Sequence, residues 1–90
     1  MEFIHEGKAF RHYNAAGEMD AEITYASKGE GVIEANHTFV DSSIRGQGVG
    51  RQLVDKLADF ARGENLKIHP TCPYVVALFE KSTKYDDVKI

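Results

Sequence analysis

Ninety residues, 42% of them apolar, suffice for one domain over residues 1–90, and a chain of this length buries about 60–65% of its unfolded surface. A net charge of −3, with both signs scattered along the chain, excludes broad binding to nucleic acid or to an anionic membrane. A single cysteine excludes an internal disulfide, and with neither a leader nor an apolar run of bilayer length, the cytoplasm is the expected compartment.

Residues 2–6 and 8–13 read as short strands joined at Gly7, followed by a loop at Asn14-Ala15-Ala16-Gly17. From Glu18 to Ser27 the pattern alternates, with Met19, Ala21, Ile23 and Tyr25 on one face, so this segment is a strand. Lys28-Gly29-Glu30-Gly31 turns the chain into a fourth strand at 32–40, β-branched and aromatic at its far end. Simple alternation there puts Val32, Glu34, Asn36, Thr38 and Val40 on one face and Ile33, Ala35, His37 and Phe39 on the other, unless a bulge intervenes.

Val49, Leu53, Leu57 and Ala61 recur every four residues, the stripe of an amphipathic helix from about 48 to 63, with Gly63 as the expected residue just past its end. Leu66 to His69 is a short strand, and a second helix begins at Pro73 and runs to about Lys81. The fold class is α+β (α/β): four antiparallel strands, then a helix, a parallel strand and a helix. The strand–helix–strand unit over 32–69 is a crossover, so its two strands are parallel and both point toward the loop at 41–48. Open α/β sheets bind their ligands at such an end.

That loop carries Arg45-Gly46-Gln47-Gly48-Val49-Gly50-Arg51, three glycines at alternate positions with a cation at each end. Glycines let successive N–H groups converge without side chains in the way, and a helix start adds its free donors and positive dipole end. The natural guest is a pyrophosphate. The spacing is neither G-x-G-x-x-G nor a P-loop, since no Gly-Lys-Ser/Thr follows.

Arg45-Gly46-Gln47-Gly48-Val49-Gly50 resembles the Q/R-x-x-G-x-G/A signature of the GNAT superfamily of N-acetyltransferases. With Asn36-His37-Thr38 upstream and Pro70-Thr71-Cys72-Pro73-Tyr74-Val75 downstream, roughly residues 21 to 88 resemble a family of very short GNAT-like proteins. The resemblance implies acetyl-CoA as co-substrate, with its pyrophosphate on the glycine turn and its pantetheine arm between the two parallel strands, which splay apart. Phe39, Val40, Arg45, Gly46, Gln47, Gly48, Val49, Gly50, Arg51, Cys72 and Tyr74 are the residues expected to contact it. It also implies an acceptor side more open than in longer members.

Acetyl transfer to an amine needs a base, donors for the thioester oxyanion, and a proton for the leaving thiolate. The oxyanion donor is expected to be a backbone N–H near Phe39 or Val40. For the base, Glu34 and His37 compete. Glu34 falls where many GNAT enzymes carry a catalytic glutamate, whereas His37 lies nearer the site and has the side chain best suited to proton transfer near neutrality. Their bland alternatives are a solvated carboxylate and a half-buried core histidine.

Cys72 stands where ordinary GNAT enzymes carry an asparagine, and Phe79 stands where they carry a tyrosine acid. Phe79 cannot donate a proton, so Cys72 is the acid, an acetylated nucleophile or a packed thiol, with Tyr74 and Tyr85 as fallback acids. No residue spacing suits a metal, and none is expected. The leading expectation is an acetyl-CoA-dependent N-acetyltransferase acting on an unidentified amine, as a monomer or weak dimer. The alternatives are a CoA or acyl-CoA binding module with little catalysis and an adaptor that binds no CoA.

Overall fold

The computed structural model describes residues 1–90 as a mixed five-stranded sheet and two helices. In chain order these are β1 (Ile4–Glu6), β2 (Ala9–Tyr13), β3 (Met19–Gly29), β4 (Val32–Val40), α1 (Val49–Gly63), β5 (Lys67–Pro70) and α2 (Pro73–Lys81). The strands lie side by side in sequence order, antiparallel from β1 to β4 and parallel between β4 and β5. The α+β expectation and the element order are those observed. Neither helix is long and apolar enough to cross a membrane.

The α1 stripe is wider than the four-residue spacing indicated: Val49, Leu53, Val54, Leu57, Ala58 and Ala61 are all buried. They join Phe10, Ala21, Ile23, Ile33 and Ala35 from the sheet and Val75, Leu78 and Phe79 from α2 in one core. Gly63 is the last residue of α1 and not the left-handed residue beyond it. That conformation falls to Asn65, with φ 56°, an asparagine being among the few side chains that tolerate it. The chain end adds a contact that the sequence did not suggest. Ile68 donates to the Val88 carbonyl and accepts from the Ile90 amide, so residues 88–90 cover the outer edge of β5.

Two features of β4 position the site. The first is a bulge: Thr24 pairs with His37 and Tyr25 with Ala35, leaving Asn36 as the extra residue. Alternation therefore inverts after Asn36. Thr38 and Val40 pair with the buried Ile23 and Ala21 on the core face, while His37 and Phe39 pair with Thr24 and Glu22 on the other. Simple alternation had these four residues reversed, and the bulge brings Glu34 and His37 to one face.

The second feature is a fork. β5 pairs with β4 only from Val32↔Lys67 to Ala35↔Pro70. There the Ala35 carbonyl accepts from both the Thr71 and Cys72 amides, each at 3.0 Å, and the chain turns away into α2. Beyond the fork β4 continues paired to β3 alone.

Candidate active site

Asp41 accepts from the Ser43 hydroxyl (2.6 Å) and amide (3.0 Å) and so caps a single 3-10 turn at Ser42–Ile44. Those bonds hold its carboxyl below the usual range. The glycine loop follows. Gly46 (φ 82°) and Gly48 (φ 76°) are left-handed, which any other residue adopts only with strain. Gly50 has ordinary backbone angles and instead gives room to a neighbour: a Cβ there would stand 2.9 Å from the Tyr74 hydroxyl, which would have to move aside.

Amide groups of residues 45 to 51 donate to no acceptor in the chain, and the first α1 bond runs from Gln52 N to the Gly48 carbonyl. Together with Thr38, Phe39, Val40 and Tyr74, the residues Arg45, Gly46, Gly48, Val49 and Gly50 line a cleft of ≈ 410 Å³. Arg45 is fixed at its rim by a 2.9 Å bond from Nε to the Val40 carbonyl. Gln47 and Arg51 are exposed and do not line the cleft.

The fork opens into this cleft. Asp41 N bonds to the Asp20 carbonyl on β3, so alternation along β4 turns the Thr38 and Val40 amides away from β3, into the gap left by β5. Cys72 stands at the residue just before α2 and is buried, with its Sγ 3.5 Å from Thr38 Oγ1. Burial pushes its thiol up. The Thr38 hydroxyl and the backbone amides of Val75, Tyr74 and Thr38 outweigh burial, and the thiol stands below its ordinary value. Thr38, which the sequence placed in the Asn36-His37-Thr38 motif without a role, is thus the residue that links β4 to Cys72; the register after the bulge reveals it.

His37 stands on the opposite face of β4 from Cys72, exposed, with Nε2 3.8 Å from Glu22 Oε1. The two sequence candidates His37 and Cys72 therefore flank the strand without touching. Glu34 is engaged at the fork, accepting from Thr71 Oγ1 at 2.7 Å with Lys28 Nζ 3.9 Å away. Glu22 was invisible in the sequence because it reaches the site across strands.

The fallback acid Tyr85 is buried and donates to Asp55 at 2.5 Å; burial and then that bond push it far above its ordinary value. Phe79 stacks on Tyr85 in the core. His12 bonds to Asp20 at 2.6 Å and His5 stacks on Phe10, so both are structural.

A family model described as GCN5-related N-acetyl-transferase matches residues 9–88. The solution structure of a GCN5-like protein from Staphylococcus aureus superposes with a TM-score of 0.84 at 32% identity, covering 99% of this chain and 87% of that one. Protein NATD1 of Homo sapiens and of Gallus gallus are each 34% identical over 55 residues, 61% of this chain. The chain spans about half the length of these curated relatives (49% and 50%). Rv2747 from Mycobacterium tuberculosis, solved with CoA, shares the fold at a TM-score of 0.57 and 22% identity, over 68% of this chain and 39% of that one.

Proposed function

The chain belongs to the GCN5-related N-acetyltransferase family, and on that premise we propose that it transfers an acetyl group from acetyl-CoA to an amine. One observation carries this reading: a run of unpaired amides at residues 45–51, on glycines that leave the backbone bare, opens onto a forked sheet. These residues fit CoA. The amides and Arg45 meet the pyrophosphate with charge-assisted bonds, and the fork admits a thin arm ending beside Cys72.

Acetyl-CoA supplies the activated acetyl thioester. The Val40 amide donates to the thioester oxygen as negative charge develops on it. His37 takes the proton of the attacking amine from the uncovered face. Cys72 gives its thiol proton to the departing sulfur. A thiol held below its ordinary value is the better donor, and the Thr38 hydroxyl and nearby amides carry the charge it is left with. Phe79, buried in the core, takes no part.

The test is calorimetry with CoA and acetyl-CoA, followed by CoA release in the presence of polyamines, amino acids and lysine peptides. Binding together with amine-dependent release, abolished in His37→Ala and in Cys72→Ala while binding survives, is the expected result. Absence of CoA binding refutes the proposal. Binding without turnover on any amine favours a CoA-binding module, a reading supported by the separation of His37 from Cys72 across β4.

A further inference from the structure

Glu22 occupies a particular place on the uncovered face of the sheet. It pairs directly with Phe39 of β4 and Arg11 of β2, two residues along β3 from the Thr24↔His37 pair and on the same face. Its side chain is 13% exposed, against 57% for His37. Glu22 Oε2 accepts from Arg11 Nε at 2.6 Å, and Arg11 Nη1 stands 3.4 Å from Glu6 Oε1, which also accepts from the Tyr13 hydroxyl at 2.5 Å. The Glu22 bond is the main influence raising the Arg11 guanidinium, and the Tyr13 bond is the main one lowering the Glu6 carboxyl. A chain of polar contacts thus crosses three strands and ends at one oxygen, Glu22 Oε1, directed at His37 Nε2 across 3.8 Å. A small rotation of the exposed ring or one bridging water closes that gap.

We propose that Glu22 is the positioning residue for His37: its free oxygen accepts Nε2–H, fixes that tautomer, and leaves Nδ1 with its lone pair for the acceptor amine. The proposal rests on the reading of His37 as the base. Glu34, the carboxylate expected from the sequence, is engaged by Thr71 and Lys28 at the fork. Glu22 is held from behind by Arg11, so its orientation toward His37 does not depend on His37 itself.

The arrangement makes an unusual demand of Glu22→Gln. Arg11 Nε can bond only to the amide oxygen, which turns the amide NH2 toward His37. His37 Nε2 must then accept, and the ring switches to the Nδ1–H form. Long-range 15N NMR of the imidazole in the protein without CoA reads this directly. The expected result is Nε2–H in the wild type, Nδ1–H in Glu22→Gln, and Nε2–H again in Glu22→Asp.

In turnover, kcat of Glu22→Gln should fall roughly tenfold or more, as expected when a general base is misplaced. KM for acetyl-CoA should not move, and Glu22→Asp should recover part of the rate. An unchanged tautomer in Glu22→Gln overturns the pairing, and an unchanged kcat overturns the positioning role. If His37→Ala turns over normally, the reading of His37 as base falls instead, while the tautomer measurement still decides whether Glu22 orients the ring.

Discussion

Replacing Gly48 by alanine separates the phosphate cradle from ordinary backbone requirements. Gly48 sits at φ 76°, ψ 17°, and a Cβ there would meet no atom of the chain within 4 Å. The folded protein therefore loses only the strain of a left-handed alanine, about 1–2 kcal/mol. For a domain of this size that lowers Tm by about 4–16 °C. Gly17 provides a matched control: φ 81°, nothing within 4 Å, and a loop that does not line the cleft. Gly17→Ala should lower Tm by a similar amount.

The two variants should part company in calorimetry with CoA. At position 48 the added methyl stands in the cleft mouth, where a phosphate would approach the amides. Losing one charge-assisted bond is worth about 1.5–3 kcal/mol, or about 10- to 100-fold in Kd. Gly17→Ala should bind as the wild type does. Wild-type affinity in folded Gly48→Ala, or equal losses in both variants, would refute the cradle.

Thr38→Val removes the hydroxyl beside Cys72 and should move the onset of iodoacetamide labelling to higher pH; an unmoved profile would show that the backbone amides alone set the thiol. Tyr85 is raised by burial and Asp55, so its contribution to stability is complete below the ordinary tyrosine value of about 10 and is lost as pH rises toward its folded value. Tyr85→Phe should flatten that alkaline decline in urea melts, and an equally steep decline would count against this account. Asp87 is lowered chiefly by its bond from Arg62, so its contribution is present above the ordinary aspartate value of about 3.9 and is lost as pH falls through its lower folded value. Arg62→Gln should start acid unfolding at higher pH, as read by circular dichroism.

Local patterns made the elements legible. The apolar stripe gave α1, Pro73 gave the start of α2, and the crossover rule gave the parallel pairing of β4 and β5. Features that depend on two distant segments were not legible. The bulge at Asn36 shows only when β4 is laid against β3, and it decides which of Glu34, His37, Thr38 and Val40 share a face. Gly50 belonged to the glycine signature, but the side chain packed against it, Tyr74, lies on another helix. Glu22 looked like one polar residue among several on an alternating strand, and its direction toward His37 comes from the bulge and from Arg11. The sequence named the residues that line the cleft and left open the bulge that sets the geometry around them.

The fork at Ala35 also bears on how this sheet avoids its own kind. Strand edges with unpaired amides recruit other strands and lead toward aggregates, and proteins usually hide them at the rim. Here such an edge lies in the interior of the sheet, between the far half of β4 and the first turn of α2. Thr38 and Tyr74 line the opening and Cys72 stands beside Thr38, so side chains crowd it on both sides. On the proposed function, a slender molecule with its own amide groups and no side branches fills it. The donors that the fork leaves exposed are then covered by a cofactor arm instead of by a neighbouring strand.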